Sequence, residues 1–143
     1  MREILFKAKR IDNGKWVEGY YCKWLKGERI ITYSENETDC IITWMSNGGM
    51  SRYEVDPETL CQFTGLCDKN GNKIWENDIL MAHLDESYPE DATYETVEWN
   101  AAGWVGQEAG STDREYLDEF DTEHFEVVGN IFDNKELLQE RYK

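Results

Sequence analysis

The tightest constraint on the fold is a run of turn-forming residues between Thr64 and Asp78. Gly65 and Gly71 take positive φ angles without the steric cost of a β-carbon, and Asn70 tolerates them. Asn-Gly between apolar runs is also the strongest short-range hairpin signal a sequence carries. Asp68 and Asp78 stand where a short carboxylate accepts hydrogen bonds from nearby backbone amides. Phe63, Leu66, Ile74, Trp75 and Ile79 supply apolar contacts from the strands on either side. The segment reads as short strands folded back on one another, and its acids as turn formers. Asp68, Glu76 and Asp78 are also candidates for metal or acid/base chemistry.

Towards the amino terminus, Glu3 to Asp12 reads as a strand, Asp12-Asn13-Gly14-Lys15 as a turn and Trp16 to Leu25 as a second strand. Lys26-Gly27-Glu28 breaks it, and Arg29 to Tyr33 and Cys40 to Trp44 are two further runs of β-branched and aromatic residues. The first third is therefore a meander, with Asn47-Gly48-Gly49 as its next joint. Pro57 disfavours helix at Asp56, so Asp56 to Leu60 is extended or a turn. A lobe boundary is placed there, giving an amino-terminal lobe, 1–58, and a second lobe, 59–143. At 143 residues the two are expected to fold as one cooperative unit.

Towards the carboxy terminus, Glu76-Asn77-Asp78 turns the chain into Ile79 to His83, a short apolar strand expected to be buried on both faces. Pro89 and its acidic neighbours make Leu84 to Asp91 a loop. Thr93 to Trp99 alternates and should pair with Trp104-Val105-Gly106 across a turn at Asn100 to Gly103. Residues 108–122 fit two readings. Ser111-Thr112-Asp113 would cap a short helix with Tyr116, Leu117 and Phe120 on one side, or the stretch is a mobile acidic loop. Glu123 to Phe132 is a strand, and Asp133 or Asn134 would cap a terminal helix through Leu137 and Leu138.

The segment Gln62-Phe63-Thr64-Gly65-Leu66-Cys67-Asp68-Lys69-Asn70-Gly71-Asn72-Lys73-Ile74-Trp75-Glu76-Asn77-Asp78-Ile79-Leu80 resembles the signature of YopX-like proteins, Q-[YF]-T-G-L-x-D-K-N-G-x-x-I-[YFW]-E-G-D-I-[VL]. Lys7 to Arg10 with Trp16 to Gly19 resembles the family's opening hairpin, and Phe125 to Asn134 its closing V-I-G-N-I-[YF]-E-N segment. Asn77 departs from the usual Gly but accepts the same left-handed backbone. Leu84 to Thr122 has no match in the pattern. The resemblance implies a mostly β fold, a small SH3-like barrel with an amino-terminal β-meander and a short carboxy-terminal helix. It implies a phage or prophage origin and no known activity.

The formal charge of −15 is uneven: residues 1–83 carry 11 basic and 13 acidic groups, residues 84–143 carry 4 and 17. Phosphate binding rests on Lys and Arg, so this field argues against direct binding of nucleic acid and of anionic membranes, and for a basic host or phage protein as partner or merely for solubility. No apolar run approaches the roughly 20 residues that span a bilayer. Met1 leads into the alternating Arg2 to Phe6 rather than a signal peptide, so the chain is expected in the host cytoplasm. Cys22, Cys40, Cys61 and Cys67 form no CxxC pair and read as reduced thiols, with no zinc site or other cofactor expected.

Four functions compete. A noncatalytic accessory or protein-interaction module is favoured, since no assembled reactive constellation is legible: His83 and His124 sit among apolar strand residues, and no nucleophile elbow, P-loop or metal motif occurs. An acidic DNA mimic would use Asp113, Glu115, Asp118, Glu119, Asp121, Glu123 and Glu126 as its interaction surface against a host nucleic-acid-binding protein. A barrel binding single-stranded nucleic acid would use the aromatics interleaved with lysine, Lys15-Trp16, Tyr20-Tyr21 and Lys23-Trp24-Leu25-Lys26, though residues 1–50 carry 8 basic against 7 acidic groups and so show no basic groove. A hydrolase-type enzyme would need a site the motifs do not reveal. Exposed Trp residues or free sheet edges would invite a homo-oligomer.

Overall fold

The computed structural model describes residues 4–25, 37–83, 92–109, 114–118 and 123–139. Its strands are β1 (Phe6–Lys9), β2 (Trp16–Leu25), β3 (Glu37–Trp44), β4 (Met50–Glu54), β5 (Cys61–Cys67), β6 (Lys73–Trp75), β7 (Asp78–His83), β8 (Ala92–Asn100), β9 (Gly103–Glu108), β10 (Arg114–Tyr116) and β11 (Glu126–Asn130). A 3-10 turn, Pro57–Thr59, precedes β5, and the helix α1 (Glu136–Gln139) follows β11. Strand pairing is antiparallel throughout, in the orders β4-β3-β2-β1-β5-β6 and β10-β9-β8-β7-β11. The chain divides into two compact units, Met1–Gln62 and Phe63–Lys143, with the division inside β5.

In the first unit the expected meander is present. Side chains alternate across a strand, so Val17 and Tyr21 of β2 join Phe6 and Ala8 of β1, Ile41 of β3, Val55 and Leu60 in one core. Gly19 brings β2 close against β3: a β-carbon there would lie 2.2 Å from the Ile42 carbonyl oxygen. Asp56 is extended, as Pro57 demands, and its carboxylate accepts the Glu58 amide at the start of the 3-10 turn. Thr59 Oγ1 donates to the Asp56 carbonyl and accepts the Lys9 amide, fastening that turn to β1. Strand β4 is an addition to the sequence reading, and the strand expected at Arg29 to Tyr33 falls outside the described residues.

In the second unit the core comprises Ile74, Leu80, Val97 and Trp104, with Leu66, Leu117, Phe125 and Val127 packed against it. Ile79 and Leu80 point to opposite faces of β7 and both are fully buried, as expected of a central strand. Strands β8 and β9 close a two-residue hairpin at Ala101-Ala102, with Ala101 held at φ 37° and Trp99 edge-on to Trp104 across the ladder. Two expectations are corrected. Arg114–Tyr116 is a strand on the edge of β9, not part of a helix, because β9 offers unpaired backbone groups that a short polar segment can take. Asn134 does not cap the terminal helix with its side chain: its Oδ1 accepts the Asn130 amide, closing the turn after β11 instead, where Asp133 Oδ2 also accepts the Asn130 side-chain amide. Among the described residues β10 and β11 end the five-strand order without pairing to each other, so the sheet is open rather than a closed barrel. No helix among them is long and apolar enough to cross a membrane.

Candidate functional site

Three groups of residues are candidates for function, and the first is the turn motif. Asp68 is buried, with 6 % of its surface exposed. One carboxylate oxygen accepts the amides of Asn70 at 2.9 Å and Asn72 at 2.8 Å; the other accepts the Val127 amide at 2.9 Å and the Asn72 side chain at 3.3 Å. Gly71 at φ 83° lets the loop from Asp68 to Asn72 wrap around that carboxylate. The turn is therefore wider than a two-residue Asn-Gly hairpin, because the acid organises it. Burial pushes the Asp68 carboxyl up, but the amides of Val127, Asn72 and Asn70 outweigh it and leave the carboxyl below the ordinary aspartate range. Asp78 is deeper still, and its Oδ2 accepts the Trp75 amide at 2.8 Å across the turn at Asn77. Asn77 holds φ 70° in the place of a glycine. The two acids thus face backbone amides, the arrangement of a scaffold.

The second group is the acidic run. Glu115 lies on β10 and Asp118 just beyond it, both exposed; Glu123 is exposed ahead of β11, and Glu126 is half-buried on β11. Strands β10 and β11 are the two ends of their sheet order, so Glu115 and Glu126 do not share a ladder. Asp113, Glu119 and Asp121 lie outside the described residues. His124 stands exposed in the turn before β11 rather than inside a strand, and His83 ends β7. Among the described residues no cluster of three or more His, Cys, Asp or Glu is placed to hold a metal ion.

The third group emerges only from strand register. Trp16, Tyr20 and Trp24 alternate along β2 away from the core. Tyr20 sits opposite Ile42, Ile42 opposite Arg52, and Trp44 opposite Met50, so these residues share that outer face. Lys7 and Lys9 of β1 belong to it as well, with their ammonium groups 4.7 Å and 5.5 Å from the centre of the Trp16 ring. The Arg52 guanidinium lies 4.6 Å from the centre of the Trp24 ring and reaches the Cys40 sulfur, and Cys40 is fully buried beneath this face. Tyr20 is 50 % exposed, Trp24 38 % and Trp44 64 %, values high for residues of this size. Cys22 pairs with Cys40 in register; all four cysteines are free thiols, and burial followed by the neighbouring Cys40 pushes the Cys22 thiol up. On the inner face the Tyr21 hydroxyl donates to Asp39, which pushes the phenol up to about 12.

Sequence reasoning named the aromatics of β2 but not Arg52, Met50 or their meeting with Trp44. The alternation of Met50, Arg52 and Glu54 was the available signal, and without β-branched residues it is weak. A family model described as YopX protein matches residues 6–139. The fold is similar to that in the crystal structure of protein EF1440 from Enterococcus faecalis, at 22 % identity over 96 % of this chain and 99 % of that one, with a TM-score of 0.53. No curated protein matches the chain.

Proposed function

Because this chain belongs to the YopX protein family, we propose that it is a phage- or prophage-encoded accessory protein of the host cytoplasm that acts by binding a basic protein, without catalysis. The carrying observation is the partition of charge between the two compact units. Residues 1–62 hold nine basic and ten acidic groups, a net of −1, and residues 63–143 hold the remaining six and twenty, a net of −14. A field concentrated on one unit steers a partner of opposite charge to that unit. Glu115, Asp118 and Glu123 stand exposed there.

The buried acids support the noncatalytic part of the reading, since Asp68 and Asp78 accept amide hydrogen bonds from their own turns and Asp68 a further one from Val127. An SH3-like character for the second unit belongs to the same proposal, supported by its short antiparallel strands and by the register shift between Val127 and Gly129, where small barrels bend. The test is capture from host lysate on the immobilised full chain at about 20 mM and about 300 mM salt, since screening shortens from ~20 Å to ~6 Å over that range. Recovery of a basic protein at low salt only, lost in the triple variant Glu115→Gln, Asp118→Asn, Glu123→Gln, supports the reading. Recovery that neither salt nor the variant changes refutes it.

A further inference from the structure

The outer face of the first unit carries chemistry that the acidic second unit does not share. Trp16, Tyr20 and Trp24 recur every fourth residue of β2, about 13 Å apart along the strand at ~3.3 Å per residue. Trp44 extends the row onto β3. Cations stand beside two of these rings, Lys7 and Lys9 at Trp16 and Arg52 at Trp24. Glu18, opposite Lys7, and Glu54, opposite Cys40, belong to the same face. Among the described residues this face therefore carries three cations against two acids, on a chain whose net charge is −15.

We propose that this face binds single-stranded nucleic acid, with bases stacking on Tyr20, Trp24 and Trp44 and the phosphates passing Lys7, Lys9 and Arg52. Stacking surfaces interleaved with cations are what a flexible strand of bases and phosphates matches, and every base has a face to offer, so the binding is tolerant of sequence. A duplex keeps its bases stacked on each other and cannot use the rings. The expectation drawn from total charge, that nucleic acid is excluded, treats the negative charge as spread over the whole chain. The division of charge between the units removes that premise for the first unit; repulsion from the acidic second unit keeps the affinity modest, and the phosphate contacts of Lys7, Lys9 and Arg52 make it fall with salt.

The experiment is fluorescence anisotropy of a labelled twelve-nucleotide oligothymidine, titrated with the full chain at about 20 mM salt, with a duplex of the same length in parallel. The single strand is expected to bind more tightly than the duplex and to weaken at least about fivefold by 200 mM salt. Trp44→Ala and Trp24→Ala should each weaken binding at least about fivefold, while Trp44→Phe retains most of it. Trp99→Ala, at an exposed tryptophan of the second unit, should leave binding unchanged. Circular dichroism of each variant confirms that the fold is intact. The proposal is overturned by no binding at low salt, by equal binding of the duplex, by Trp24→Ala and Trp44→Ala variants that bind like the parent, or by those variants losing a captured protein while oligonucleotide binding persists.

Discussion

The turn motif of the second unit and the outer face of the first both gather charged and aromatic side chains, yet they use them in opposite ways. Around Asp68 the carboxylate is turned inward and takes three backbone amides, one of them from Val127, 59 residues further along the chain. On the outer face Arg52 lies against the exposed ring of Trp24, and Lys7 and Lys9 against the half-buried ring of Trp16. A charge committed to buried amides carries folding energy and has little left for a ligand; a charge resting on an exposed ring costs little to redirect. Motif density in a sequence is thus a guide to the scaffold, and function has to be sought where the side chains still face water.

The largest expected effect is on the scaffold side. Asp68→Ala leaves the Asn70, Asn72 and Val127 amides short of their acceptor and should cost about 3 kcal/mol or more, read from the urea midpoint. A loss below about 1 kcal/mol would erase the contrast between the regions. Gly19→Ala tests the platform's own foundation, since its β-carbon would meet the Ile42 carbonyl, and it should cost about 2 kcal/mol. Asn77 sharpens the motif reading. At φ 70°, Asn77→Gly should be neutral or gain up to about 1 kcal/mol, whereas Asn77→Ala should lose about 1 kcal/mol. The smallest change in stability belongs to the face: Arg52→Gln should move the unfolding free energy by less than about 0.5 kcal/mol. A large destabilisation there would mean the outer face is scaffold too.

Much of the fold was legible because its signals are local. The alternation from Trp16 to Leu25 matches the span of β2, and Glu76-Asn77-Asp78 turns the chain where Asn77 adopts its left-handed backbone. Strands β4 and β10 were not legible. Met50-Ser51-Arg52-Tyr53-Glu54 and Arg114-Glu115-Tyr116 hold no β-branched residue, and they are strands because β3 and β9 present backbone partners. The outer face was hidden for a related reason. Each tryptophan is visible in the sequence, but Arg52 joins them only through the Tyr20, Ile42, Arg52 register, a long-range relation that no local pattern encodes. The role of Asp68 was half-legible: its place in a turn marked it as an amide acceptor, while the bond to Val127 depends on tertiary structure.

The most direct test of the claim that the motif acids are amide acceptors is an NMR pH titration of the Asp68 carboxyl, followed together with the Val127 amide and with unfolding. A carboxyl whose folded value is depressed adds stability that is present above the unfolded value of about 3.9 and lost as pH falls through the folded one. The account predicts a midpoint below about 3.9, with the Val127 amide resonance moving on the same curve and stability declining over that acidic range. A midpoint above the ordinary aspartate value, or Asp68 and Asp78 resonances that shift on adding calcium or magnesium at neutral pH, would contradict it.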